Sequence, residues 1–266
     1  MRLGVIGCGK MGSALIGGAI RAKAVAASQI IGFDPFPAAR EAFTKTTGAP
    51  SSDTLADLSG CDTFLLATKP QQAAEALDSL KASGVRDALL VSIAAGLTID
   101  WLEKHSPDGF RIIRTMPNTP ALVGKGASAF ARSGHATDDD AAFADRLLGS
   151  VGLSVEVPES MINAVTGLSG SGPAYIYLAI EALTEGGVQV GLPHEHAHQL
   201  AAQTVLGAAA MVLETGRPPA ELRDNVTSPG GTTVAGLASL EENGFHDSLV
   251  SAVAAATARA EQLGKS

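Results

Sequence analysis

Late in the chain, Thr227, Ser228, Thr232 and Thr233 place four hydroxyls around Pro229-Gly230-Gly231. Apolar residues then recur at helical spacing through Val234, Leu237 and Leu240. A proline-glycine turn that opens a helix presents unpaired backbone N–H groups and the positive end of the helix dipole. Carboxylates and phosphates settle at such places. Hydroxyls also cap helices. A cap needs only one of them, so four beside two glycines point to a bound anion as well as to a cap.

A second constellation lies at the start. Residues 2–6 read as a buried strand, and Gly7-Cys8-Gly9-Lys10-Met11-Gly12 follows at once. An alanine- and glycine-rich helix over about 13–23 comes next, then a strand over 29–33 that ends in Asp34. Strand, G-x-G-x-x-G, helix, strand and acidic residue form the fingerprint of a dinucleotide site. The glycines make a tight turn, let the backbone approach a pyrophosphate, and pack helix against strand. Asp34 would accept hydrogen bonds from a ribose and repel a 2′-phosphate, which favours NAD over NADP. Asp34 before Pro35 also suits a helix cap, and Arg40 one turn later could offset the repulsion. Both cofactors therefore stay open.

Further chemistry-bearing residues stand at the ends of later apolar runs. Ala67-Thr68-Lys69-Pro70 follows one of them, where Lys69 meets cofactor or substrate charge or is a solvated loop lysine. Ala94 and Ala95, before Gly96, are small enough for close passage of a nicotinamide ribose. Arg114 to Pro120 carries Met116 and Asn118 between two prolines, at a suitable address for a substrate. The stretch from Thr166 to Tyr175, rich in glycine and serine, is either a flexible hinge or a substrate wall. His194 and His198 share a helix face beside His196, but no third ligand pattern accompanies them, so no metal is expected. Cys8 reads as a space-filler. No Ser/His/Asp set or paired carboxylates are legible.

The elements that must position these residues change character along the chain. Strand-like runs recur over 63–67, 88–93, 111–115, 126–131 and 153–157, with a helix over 140–148 between the last two. Continuous apolar runs suit a sheet covered on both faces. Residues 1–160 are thus expected to form a Rossmann-type, doubly wound α/β domain. After Pro158 the strands stop, and helices are expected near 173–186, 194–214, 233–242 and 247–263. Residues 161–266 then form an all-helical domain. The helix after Pro193 is apolar on nearly every side in its second half, and such a helix must be buried all round. So few residues cannot surround it, so subunits are expected to interleave there.

Composition narrows the class. Of 266 residues 45% are hydrophobic and 17% charged, which supplies a core and excludes wholesale disorder. A formal charge of −8 and the lack of basic runs exclude a nucleic-acid or acidic-membrane surface. Two cysteines cannot make a disulfide framework and suggest a reducing compartment. The N-terminal apolar stretch is broken by four glycines and Lys10, unlike a secretion signal, and no run reaches membrane-spanning length. The expectation is a cytoplasmic protein.

Together G-C-G-K-M-G, A-T-K-P, R-T-M-P-N-T-P-A, L-S-G-S-G-P-A-Y and D-N-V-T-S-P-G-G-T-T-V-A-G-L closely resemble the pyrroline-5-carboxylate reductases. The motifs occur in the family's order over essentially the whole chain, and the last is the most specific. The resemblance implies NAD(P)H-dependent reduction of Δ1-pyrroline-5-carboxylate to L-proline, the last step of proline synthesis, without a metal. It implies an N-terminal Rossmann domain and a helical domain that dimerises by intertwining, often within rings such as decamers. It places the substrate carboxylate at Ser228, Gly230, Gly231, Thr232 and Thr233; residues 94–96 and 116–118, with Met116 and Asn118, are then expected to bound the ring and nicotinamide. Gly7, Gly9, Lys10, Met11, Gly12, Asp34, Ala67, Thr68, Lys69, Pro70, Ala94 and Ala95 would bind the cofactor. Thr233, then Ser228, are the best candidates for a hydroxyl that reaches the substrate. Many members prefer NADPH and carry small polar or basic residues after the second strand, and Asp34 departs from that pattern.

The chemistry suits these residues. A protonated cyclic imine is already an electrophile, so positioning supplies most of the catalysis and no strong acid is required. A β-hydroxyacid dehydrogenase would share the architecture but needs a lysine in the helical domain, which has none before Lys265. A non-catalytic nucleotide-binding scaffold gives no reason for the hydroxyls at 227–233.

Overall fold

The computed structural model describes residues 1–264. Its first unit is built on eight strands: β1 (Leu3–Ile6), β2 (Ile30–Phe33), β3 (Ser51–Ser52), β4 (Thr63–Leu66), β5 (Leu89–Ser92), β6 (Arg111–Met116), β7 (Gly126–Arg132) and β8 (Gly152–Glu156). Their order across the sheet is β3-β2-β1-β4-β5-β6-β7-β8. All neighbours run parallel except β6 and β7, which are antiparallel. The strand order reverses between β1 and β4, and doubly wound folds bind ligands outside the carboxyl ends at that point.

Five helices cover the sheet: α1 (Lys10–Arg21), α2 (Pro37–Thr47), α3 (Pro70–Ala82), α4 (Ile99–His105) and α5 (Asp138–Gly149). Side chains alternate faces along a strand. Leu3 and Val5 accordingly join one buried cluster with Leu15, Ile16, Phe43 and Leu147. Ile6 joins the other with Phe64, Leu66, Leu77, Leu80 and Leu102. Both faces being covered explains why the central strands read as uninterrupted apolar runs.

The second unit is helical. The short α6 (Ile162–Val165) still belongs to the first unit, and after it come α7 (Gly172–Gln189), α8 (His194–Thr215), α9 (Pro219–Asn225), α10 (Thr232–Glu242) and α11 (Phe245–Leu263). The compact units divide at Ser171 and Gly172, and the end of α11 from Ala255 counts with the first. Ile162 is buried in the core beneath the sheet, and α6 packs on β6 and β7.

The helical unit leaves much apolar surface open. Tyr177 and Leu178 on α7 are 59% and 66% exposed, and Leu213 on α8 is 77% exposed. Within the chain α8 is therefore not buried all round: Ala197 and Ala201 are its buried residues. Among the described residues no helix is long and apolar enough to cross a membrane.

Candidate active site

The glycine loop joins β1 to α1. Gly7 has φ +102°, and a Cβ there would lie 2.8 Å from the Ala67 carbonyl carbon and oxygen. Only glycine meets both demands. Helix α1 starts at Lys10, earlier than the spacing suggests, because Gly12 already lies within it. A Cβ on Gly12 would come within 2.8 Å of the Gly7 carbonyl oxygen, so this glycine sets the helix against the strand. No side chain caps α1, and its first-turn N–H groups stay available for a diphosphate.

Beside this loop lies a cavity of about 460 Å³. Gly7, Gly9, Asp34, Ala67, Thr68 and Lys69 line it, drawn from the ends of β1, β2 and β4. The Thr68 Oγ1 is buried without a hydrogen-bond partner, a cost that a bound polar group would remove. The uncapped helix, the glycine cradle and this hydroxyl fit a dinucleotide. Met11 and Gly12 do not line the cavity: Met11 packs on the core and Gly12 on the Gly7 carbonyl. Lys10 is exposed at the first position of α1, and Pro70 opens α3. Phe36, Leu55 and Gln72 also line the cavity. An aromatic after Asp34-Pro35 was a usable signal for Phe36, but nothing in the residue pattern marks the other two.

Asp34 is 8% exposed. Its Oδ2 accepts the Cys8 N–H at 2.9 Å and its Oδ1 the Phe36 N–H at 3.0 Å. A carboxylate has four lone-pair sites, so capacity for ribose hydroxyls remains. Arg40 donates to the carbonyls of Asp34 (2.8 Å) and Pro35 (3.1 Å) and lies 3.6 Å from the Asp53 carboxylate. Burial pushes the Cys8 thiol up to about 12, and the nearby Asp34 charge adds to the rise. Cys8 is thus an inert filler beside Gly32.

The next strand ends carry the other expected residues of this unit. Ala94, buried, donates its N–H to the Ser92 hydroxyl, and Ala95 is exposed beside it. Asn118 is spent on the backbone: its Nδ2 donates to the Ser169 carbonyl and its Oδ1 accepts the Ala127 N–H. That arrangement braces a loop and leaves one amide hydrogen and one lone pair of Asn118 for a further partner. Met116 packs over Gly170, where a Cβ would come within 2.5 Å of the Met116 Cε.

The glycine- and serine-rich junction is helical, not a loose hinge. Thr166 to Gly170 form a π-helical turn closed by the Ser171 N–H on the Thr166 carbonyl. Hydroxyls of Thr166 and Ser169 bond back to Ile162 and Val165. Such insertions favour functional sites.

In the helical unit, α10 begins at Thr232 with Gly231 at its N-cap and no side-chain cap. The capping expected of the hydroxyls is therefore not their role here. Thr227 bonds the Arg223 carbonyl at the end of α9, while Ser228 Oγ lies against Gly231. Gly230 adopts φ +70°. The turn leaves the first N–H groups of α10 open beside Ser228, Thr232 and Thr233. The His194 and His198 rings stack on α8 with centroids 6.4 Å apart. Among the described residues no group of three His, Cys, Asp or Glu is placed to hold a metal ion.

Comparison with known proteins matches two separate segments of the chain. Residues 159–263 match the family model for pyrroline-5-carboxylate reductase dimerisation, and residues 2–96 match that of the NADP oxidoreductases, coenzyme F420-dependent. A pyrroline-5-carboxylate reductase of Synechocystis sp. is 46% identical, covering 100% of this chain and 99% of its own. The solved structure of a pyrroline-5-carboxylate reductase from Coxiella burnetii superposes with TM-score 0.93 at 35% identity, covering 100% of this chain and 99% of the other. That of the Plasmodium falciparum pyrroline carboxylate reductase with NADP bound gives 0.87 at 34%, covering 99% and 98%.

Proposed function

The chain belongs to the pyrroline-5-carboxylate reductase family, and from that premise we propose that it reduces Δ1-pyrroline-5-carboxylate to L-proline with NAD(P)H. The uncapped start of α10 carries the reading of the site. Its open N–H groups and dipole suit a small carboxylate, and Ser228, Gly230, Gly231, Thr232 and Thr233 hold the imino acid there. Bound reduced nicotinamide supplies the hydride that ends on C5 of the imine. Residues 94–96 bound the nicotinamide side and Met116 the ring side. Thr233, at the second position of α10, is the hydroxyl that meets the substrate. With the imine protonated on arrival, these residues need only hold and orient it.

The buried, engaged Asp34 supports use of NADH at least comparable to NADPH. Open apolar side chains on α7 and α8, with a dimerisation match over 159–263, support a homodimer whose C-terminal helices intertwine, in rings as large as decamers. Two buried free thiols suit a reducing cytoplasm. The test is oxidation of NADH and of NADPH by the purified protein with pyrroline-5-carboxylate, against simple hydroxy and keto acids. Formation of L-proline is expected, and absence of turnover with pyrroline-5-carboxylate would reject the reading.

A further inference from the structure

The segment that follows β5 is held at both ends by side chains from elsewhere in the chain. At its entry the Ser92 hydroxyl accepts the Ala94 N–H, and Thr115 of β6 donates to the Ser92 carbonyl at 2.9 Å. At its exit α4 begins with Ile99, whose N–H is one of the first-turn donors that a helix cannot satisfy itself. Glu159 Oε1 accepts that N–H at 2.7 Å. The same oxygen accepts from Arg114 Nη1 at 2.9 Å. Arg114 is the fourth of the six residues of β6 and pairs with Ser92 at the end of β5, its side chain 7% exposed. A guanidinium so far from water requires a carboxylate partner.

We propose that Glu159 is a positioning residue for hydride transfer, and this rests on the reading of residues 94–96 and 116 given above. One carboxylate joins the start of α4 to the carboxyl half of β6, so the two segments that flank the reacting centre move as one. A staple for stability alone could lie anywhere in the sheet. This one ties the segment that leaves the carboxyl end of β5 to the carboxyl half of β6, on the side of the sheet where doubly wound folds hold their ligands. Placement errors of about an ångström cost on the order of a hundredfold in rate, which a loop anchored only at Ser92 would allow.

The test compares Glu159→Ala and Glu159→Gln with the wild type. In the cofactor-free protein, amide exchange at Ile99 should quicken by about tenfold or more in Glu159→Ala, because its acceptor is lost. Its kcat should fall by about tenfold or more, with KM for the imino acid within about threefold. A primary deuterium effect from 4-deuterated cofactor should rise as the hydride step becomes limiting. Glu159→Gln keeps an acceptor for Ile99 and should recover part of both losses. If Glu159→Ala does not fold, Glu159→Gln alone decides, with an expected loss in kcat of about threefold or more. A folded variant with wild-type kcat, or with unchanged Ile99 exchange, would overturn the inference and leave the proposed function standing. A wild type without turnover would overturn both.

Discussion

The Asp34 carboxylate reaches back to the glycine loop and accepts the Cys8 N–H at 2.9 Å. Its second oxygen is held by Phe36, so the negative charge is fixed where a 2′-phosphate would arrive. Arg40 spends Nη1 on the Asp34 and Pro35 carbonyls, and its Nη2 already faces the Asp53 carboxylate at 3.6 Å. Wild-type kcat/KM with NADH should be at least comparable to that with NADPH. Asp34→Ser should move the ratio toward NADPH by about tenfold, or about 1.4 kcal/mol. An NADPH advantage of about tenfold or more in the wild type rejects this role.

Thr233 is half-buried at the second position of α10, in a first turn that no side chain caps. On the proposed reading, removing its hydroxyl takes away a contact with the substrate and not a cap. Thr233→Ala is expected to raise KM or lower kcat/KM by about tenfold, near 1.4 kcal/mol, with little change in melting. Unaltered steady-state kinetics would remove Thr233 from the site.

Asn118 separates stability from binding. Its amide satisfies the Ser169 carbonyl and the Ala127 N–H in a buried place, and leaving such groups unpaired costs about 1–3 kcal/mol each. Asn118→Ala should lower the melting temperature while imino-acid KM, measured well below the transition, stays near the wild-type value. A raised KM with unchanged melting would make Asn118 a ligand after all.

Cys8 lies in the cofactor loop, yet its thiol is held near 12 against an ordinary 9.0. Its thiolate fraction at neutral pH is then about a thousandfold lower than that of an ordinary cysteine. Iodoacetamide should leave native Cys8 unlabelled over hours and modify it rapidly in denaturant. Mass spectrometry of the labelled peptide decides. Fast native labelling accompanied by inactivation would refute the assignment of a passive filler.

How far the sequence could be read depended on whether a feature is local. The run from Leu3 to Asp34 is legible because its apolar strands, three glycines and acidic residue lie within one supersecondary unit. Strand β3, two serines long, has no pattern to read, and polar α9 is too short for periodicity. The 166–171 stretch has the composition of a loop, and back-bonded hydroxyls with Met116 over Gly170 keep it helical. Glu159 is silent because its partners, Ile99 and Arg114, are 60 and 45 residues away. The hydroxyl cluster at 227–233 was visible, but which hydroxyls stay open depends on the Thr227 bond to Arg223.

Arg111, at the start of β6, grips Asp140 of α5 through Nε at 2.7 Å and Nη2 at 3.1 Å. The Asp140 Oδ2 also accepts the Thr137 N–H and hydroxyl, and Thr137 Oγ1 accepts the Asp140 N–H in return, a capping box. Burial opposes the Asp140 charge, but the bonds from Arg111 and Thr137 outweigh it and hold the carboxyl below its usual range. A carboxyl lowered in the folded state contributes stability above its unfolded value, lost as pH falls through the lower folded value. That window opens near pH 4 and extends downward. Asp140→Asn should cost about 2–3 kcal/mol at pH 7, a fall in melting temperature of roughly 5–10 °C. The gap between variant and wild type should close as the pH is lowered through the window. A gap that persists undiminished at the acid end would mean that Asp140 contributes through packing and not through its charge.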